Sequence, residues 1–353
     1  MFYKSELAQI QHLVATGPFR ASCGSWGTLS IEPNSARSVE SVRPEDGLVT
    51  LAMEVSMLLL RRSRLSLFPL SGLLLLLVLP GCSGDDVTGP GADNGGGPPA
   101  FTAADGINGG RLFDRFWHTQ AGWDQNDPNV ADFNQFSNFY RCKQCHGWDL
   151  LGNAGAYISR APRTSRPNVA AVSLKQVADT HSPQELFDAI KRSTGRRSMD
   201  ADLTSYDPAT NSTVGDQMPN YGEFMNDDRI WELVKFLKVE AIDTDELYDF
   251  TTAGSYPTGT WTPSNLGKDG DAARGNALYA SVACDFCHGA RGTAIIVDGS
   301  FSVGSFFRKK SNEAQHKVKF GQLGTQMIEL VTDMDELKDL YRAMADETAY
   351  PDP

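Results

Sequence analysis

Cys142-Lys143-Gln144-Cys145-His146 and Cys284-Asp285-Phe286-Cys287-His288 share one spacing: two thiols three positions apart, with an imidazole directly after the second. The pattern suits covalent haem. The thiols add across two vinyl groups, and the imidazole takes one axial place on the iron. Each copy is followed by a glycine, Gly147 or Gly289, and together they use every cysteine after Cys82. A CxxC pair also serves as a redox dithiol or as half of a zinc site. Zinc needs four well-placed ligands, and a thioredoxin-like dithiol needs a strand–helix–strand context that neither region shows. Two full copies therefore favour haem attachment at Cys142, Cys145, Cys284 and Cys287, with His146 and His288 on the irons.

Something must hold those turns in place, and 353 residues give room for two modest domains. A net charge of −12 argues against a nucleic-acid partner. Two basic runs stand out, Arg160, Arg163 and Arg166 after the first motif, and Arg308, Lys309, Lys310, Lys317 and Lys319 after the second. Each reads as a solvated face or as a dock for an acidic redox partner.

Ile107, Leu112, Phe113, Phe116 and Trp117 fit one helix face, with Gly109 and Gly110 where another backbone could approach closely. From Phe116 to Tyr140 the chain is aromatic and loop-like. Ser182-Pro183-Gln184-Glu185 starts a helix with a Ser cap, Pro at the first position and Glu three after the cap; Leu186, Phe187 and Ile190 give it a buried side. A polar loop leads to Met218-Pro219. Asp227 and Asp228 then open a helix carrying Ile230, Leu233, Val234 and Leu237 on one stripe, with Lys235 and Lys238 toward its end.

Residues 244–267, rich in Gly, Thr and Pro with Tyr256 and Trp261 among them, read as a connector. The pattern then repeats in shortened form. Gly275-Asn276-Ala277-Leu278-Tyr279 echoes Gly109-Gly110-Arg111-Leu112-Phe113, and Ser311-Asn312-Glu313 opens a helix aligned with the one at Glu185. The loop from Gly321 to Met327 follows, and Leu337, Leu340, Tyr341 and Met344 form a last face after Asp333 and Glu336. Two copies of one architecture, at 104–243 and 268–353, are the simplest account.

Upstream, Arg61, Arg62 and Arg64 precede an apolar run from Leu65 to Leu79 and then Pro80-Gly81-Cys82. This reads as an export signal over 57–81, too short for a membrane span. Such a signal starts close to its basic patch, so translation is expected from Met57 or Met53, with 1–56 an untranslated or unstructured extension. Leu79-Pro80-Gly81-Cys82 resembles a bacterial lipobox, which puts a lipid on Cys82 and the protein on the periplasmic side of a bacterial membrane. Without the lipid the segment is an ordinary signal peptide and Cys82 stays free. Residues 82–103, dominated by Gly, Pro and Asp, form a flexible tether.

Glycine–aromatic helix, CxxCHG, capped helix, methionine loop and closing amphipathic helix, in that order, resemble the class I cytochrome c fold in tandem. The likeness to a dihaem c-type cytochrome covers roughly residues 104–348. It implies an all-α fold of two domains, with long loops around two covalent haem c groups and their iron. In that family the first and last helices cross at the glycine–aromatic motif, and the methionine loop brings a thioether to the distal side of the haem. Carried over, the proximal ligands are His146 and His288, and the distal ones Met218 and Met327. Met199 and Met225 are alternatives to Met218. Met334 and His316 compete with Met327, although His316 reads as a surface or propionate-side residue, and His181 is a weaker candidate.

The family's proximal imidazole usually bonds to a proline carbonyl, for which Pro162 or Pro167 are available. No proline lies between His288 and Ser311, so another carbonyl must orient His288. Iron held by His and Met is coordinatively saturated and suits electron transfer. The implied protein is an exported, non-enzymatic carrier between a donor and an acceptor redox protein, or a subunit of an oxidoreductase. The alternative is a peroxidase-like dihaem enzyme with a labile distal ligand at the second haem.

Overall fold

The structure, a computed structural model, describes residues 96–163, 168–199, 203–204 and 218–353. The upstream extension, the export signal, Cys82, most of the tether, Arg166 and Pro167 lie outside these residues.

Helix α1 (Pro99–Ala103) begins inside the expected tether. Its proline sits in the first turn, where a missing N–H costs nothing, and Phe101 is buried edge-on to Trp231. Helix α2 (Gly106–Arg115) is capped by Asp105, whose carboxylate accepts the Asn108 N–H, and it buries Leu112 and Phe113. The aromatic stretch after it contains two short helices, α3 (Val130–Gln135) and α4 (Ser137–Tyr140). They enclose Phe116 within a ring cluster of Trp117, Trp123, Phe133 and Phe224, centroids 4.9–5.1 Å away. Next come the single turn α5 (Cys142–His146), α6 (Leu174–Thr180) and α7 (Pro183–Lys191). The expected reciprocal cap is present on α7: Ser182 Oγ accepts the Glu185 N–H, and Glu185 accepts the Ser182 N–H.

Helix α8 (Asp227–Lys235), capped by Asn226 and extended by a wider turn over Phe236–Glu240, lies across α2. Gly109 makes the crossing possible, because a Cβ there would run into the Glu232 carbonyl and Phe236 Cβ. Asn108 Nδ2 donates to Glu232 Oε2 at 2.8 Å beside it.

The connector is more ordered than a linker. Helix α9 (Thr244–Leu247) leads into an antiparallel hairpin, β1 (Asp249–Ala253) with β2 (Thr260–Ser264), Asp249 opposite Ser264. Among the described residues the fold is therefore mostly α with one two-stranded sheet, a correction to the all-α expectation. Its cause is local: Thr-rich segments favour extended backbone, and Phe250 and Trp261 lay their rings on the second core.

In the second half α10 (Ala272–Ser281), capped by Asp271, crosses α14 (Met334–Met344), capped by Asp333. A Cβ on Gly275 would strike the Asp339 carbonyl and Ala343 Cβ. Carbonyl and Cβ four residues on are the same two obstacles that Gly109 meets, so one helix crossing occurs twice. Between these helices lie the turn α11 (Cys284–His288), α12 (Val303–Lys309) and α13 (Ser311–Phe320).

Helix α13 is buried at every position but Glu313. Its Phe320 ring rests on Gly110, Gln315 Nε2 donates to the Trp148 carbonyl at 2.9 Å, and Lys317 Nζ meets Asp114 Oδ2 at 3.0 Å. His316 is 1 % exposed, its ring 4.5 Å from Trp148. The expected surface or propionate-side histidine is thus a core residue between the halves. Of the second basic run, Lys317 and Lys319 are buried, Lys319 against Glu240, Arg308 and Lys309 share Asp352, and Lys309 and Lys310 stay exposed. The countercharges come from distant parts of the chain, so neither fact shows in local periodicity.

Candidate functional site

Two features shape the first CxxCH turn. Gly147, at φ +78°, ends it in a conformation that side chains resist, and its N–H returns to the Lys143 carbonyl at 3.1 Å. The Cys145 carbonyl accepts the Ala170 N–H at 2.8 Å, which ties the 168–170 segment alongside. Gly289 ends the second turn in the same way, at φ +75°.

Beside α5 opens a cavity of about 1240 Å3, counting solvent at its mouth. Cys142, Cys145 and His146 lie on its wall, and Phe113, Val177, Leu186, Ile190, Leu233 and Leu237 make it apolar. Helices α2, α6, α7 and α8 each contribute, which explains why the buried faces of α2, α7 and α8 carry the periodicity read in the sequence. Met218 and Pro219 line the same cavity. A short parallel bridge holds their loop: Arg197 N–H donates to the Met218 carbonyl at 2.9 Å, and Asn220 N–H to the Arg197 carbonyl at 2.8 Å. Met199 and Met225 belong to the surrounding core and are not among the cavity walls. His181 is exposed, its ring beside Thr180 Oγ1 and the Val177 carbonyl.

The cavity also contains residues that sequence reasoning passed over. Tyr221 is 2 % exposed; its hydroxyl donates to the Tyr140 carbonyl at 2.9 Å and accepts from the Cys142 thiol at 3.4 Å. It therefore ties the methionine loop to the helix entering α5. Arg141 and Arg196 are wall residues too. The only hint was proximity: Tyr221 follows Met218-Pro219, and Arg141 precedes Cys142.

Burial pushes the Cys142 and Cys284 thiols up to about 11. Dithiol catalysts depend on a depressed thiol, so these pairs are poor redox dithiols. Burial also takes His146 down to about 4, leaving a neutral imidazole able to bind metal. Its Nδ1 is buried without a hydrogen-bond partner among the described residues. Pro162 does not supply the expected carbonyl, and Pro167 lies outside the described residues. An apolar cavity, two thiols and a neutral imidazole on one wall and a thioether on another fit a covalently held haem.

The second motif is set differently. Cys284 and His288 are half-buried, Cys287 is exposed and Phe286 is 85 % exposed. His288 Nδ1 is buried and lacks a partner, so the carbonyl expected to orient it is not found among the described residues. Tyr279, the counterpart of Phe113, donates to the Gly289 carbonyl at 2.9 Å. Met327 lines a separate hollow with Arg111, Gln120 and Phe320, in which His288 has no part. Gly321 turns the chain at φ +82°, and Gln322 N–H bonds the Met327 carbonyl at 2.9 Å; Gln120 then holds the loop through Thr325 and Gly324. Met334 begins α14 against the second core. The structure thus groups His146 with Met218 and leaves His288 and Met327 in different surroundings.

This fold and cavity suit a covalently held haem. Residues 134–239 match the family model for cytochrome c, a stretch that contains Cys142–His146 and Met218 and ends before the second motif. The match supports a c-type cytochrome domain in this stretch, with haem-based electron transfer as its general role. No curated protein and no solved structure matches it.

One buried carboxylate beside the site has a measurable consequence. Asp149 is 3 % exposed, and burial pushes it up to about 6 although it accepts the Ala156 N–H at 2.7 Å and the Leu151 N–H at 3.3 Å. A carboxyl raised in the folded state binds more protons there than when unfolded, so stability falls as pH rises from about 4 to about 6. At about 1.4 kcal/mol per pH unit, the full effect above pH 6 is on the order of 3 kcal/mol. Asp149→Asn keeps an acceptor without the charge. Denaturant unfolding from pH 4 to 8 should show the variant gaining on the parent as pH rises to 6, then running parallel.

Proposed function

We propose that the chain is an exported dihaem cytochrome c that passes electrons between a donor and an acceptor protein, the second haem being attached at Cys284, Cys287 and His288. The observation that carries this reading is the repetition, in both halves, of a glycine-centred helix crossing joined to a CxxCH turn closed by a positive-φ glycine. When bound, haem supplies an iron that changes oxidation state by one electron. His146 and Met218 would hold the iron; Leu186, Ile190 and Leu233 would exclude water from the group, and Tyr221 fixes the methionine loop. Met327 is proposed as the distal ligand of the second site. A lipid on Cys82 would hold the protein at the periplasmic face of a bacterial membrane. The chain acts as a carrier, by itself or as a subunit of a larger oxidoreductase.

A second reading is favoured by one observation, the placement of Met327 in a hollow apart from His288. On it, the second haem has a labile distal side and performs peroxidase-like chemistry. Haem content per chain and carbon monoxide binding to the reduced protein separate the two. The carrier is expected to show two haems and no rapid carbon monoxide adduct. One adduct per chain favours the enzyme, and a single haem refutes the dihaem reading.

A further inference from the structure

The junction between the halves places an unusual set of charges beside the first CxxCH turn. Asp114, 2 % exposed on α2, pairs with both Arg141 and Lys317. Arg141 is a wall of the cavity, whereas Lys317 comes from α13 in the second half, its side chain 9 % exposed. Trp148, two residues after His146, is held between two lysine amino groups, Lys143 Nζ at 4.0 Å and Lys317 Nζ at 4.2 Å from its ring centroid. Glu313 approaches Lys317 only at 3.9 Å and is partly exposed.

Arg141 already neutralises Asp114, and Glu313 offsets Lys317 only from 3.9 Å and a partly exposed position, so the Lys317 charge is incompletely balanced in a buried region where electrostatic interactions are screened far less than in water. Ferric haem carries one more positive charge than ferrous haem. A fixed cation nearby therefore disfavours oxidation.

We propose that Lys317 is a positioning residue through which the second half of the chain raises the reduction potential of the haem at Cys142–His146. This rests on a haem at the first site and not on one at the second. The consequence is that the two halves are electronically linked: the first site has its working potential only when α13 is docked against it.

The test is potentiometric titration of the haem-loaded full chain. Lys317→Met should favour the oxidised form of one component by about tenfold, a fall of 59 mV for one electron. Lys317→Arg should restore the parent value. Asp114→Asn and Glu313→Gln remove negative charge and should shift the same component upward. The opposite signs matter, since simple loosening of the junction would admit water and lower the potential in every variant. An unchanged potential in Lys317→Met, or a fall in Asp114→Asn or Glu313→Gln, overturns the proposal. Should Lys317→Met not fold, Glu313→Gln, at a partly exposed position, decides alone. Mass analysis of the proteolytic peptide bearing Cys142 and Cys145 reports haem attachment separately; a peptide without haem defeats the site reading itself.

Discussion

Replacing Cys284 and Cys287 together by alanine is expected, on the proposed dihaem reading, to halve the covalent haem of the protein while leaving the first site spectroscopically intact. The thioether bonds are the only covalent tie between haem and chain, and a histidine alone seldom retains the group through purification. The second core should survive, because Cys287 is exposed and Cys284 only borders a cluster built on Tyr279, Leu337, Leu340 and Tyr341. The reciprocal change, Cys142→Ala with Cys145→Ala, removes the other half of the haem at greater structural cost, since it leaves the large apolar cavity of the first half unfilled. Haem absorbance per mole of chain, read as the pyridine complex, gives both results directly. If the parent protein holds one haem and alanine at Cys284 and Cys287 leaves that value unchanged, the second CxxCH turn is not an attachment site. All redox chemistry then belongs to the stretch that matches cytochrome c.

The two turns differ in how well local sequence announced their setting. Around Cys142 the signals agree at every level: a capped helix at Ser182, an apolar stripe from Ile230 to Leu237, and Met218-Pro219 at the right place between them. Each is a local pattern, and each ends up on a wall of one cavity. Gly109 and Gly275 were legible for a related reason, since a glycine amid a helical stripe implies close approach by another element, and both meet a carbonyl of the closing helix.

What escaped the sequence was set by partners far along the chain. His316 and Lys317 look like residues of a solvated helix until Trp148 and Asp114 cover them. Phe250 and Trp261, isolated aromatics in a connector, are explained only by the core they cover. Tyr221 carries no motif, and its role rests on one hydroxyl reaching the Tyr140 carbonyl.

Met218→Ala is expected to change the first haem more than any other single substitution. The thioether lies on the same cavity as His146, and its loop is bound to Arg197 by two backbone hydrogen bonds, so little else can swing into its place. The oxidised protein should lose the far-red band of iron–sulfur ligation at one haem. The reduced protein should gain a carbon monoxide adduct there. Because methionine favours the ferrous state, the potential should fall on the order of 0.2 V, a fraction of the ~0.8 V that axial ligands span. Met225→Ala is the structural control: Met225 is 4 % exposed in the core, so the variant should lose about 2–5 kcal/mol of stability yet keep the band. Met199→Ala should keep it as well. A band that survives Met218→Ala and disappears in Met199→Ala would move the distal ligand to Met199, and the Arg197 bridge would then be holding the wrong side of the loop for ligation.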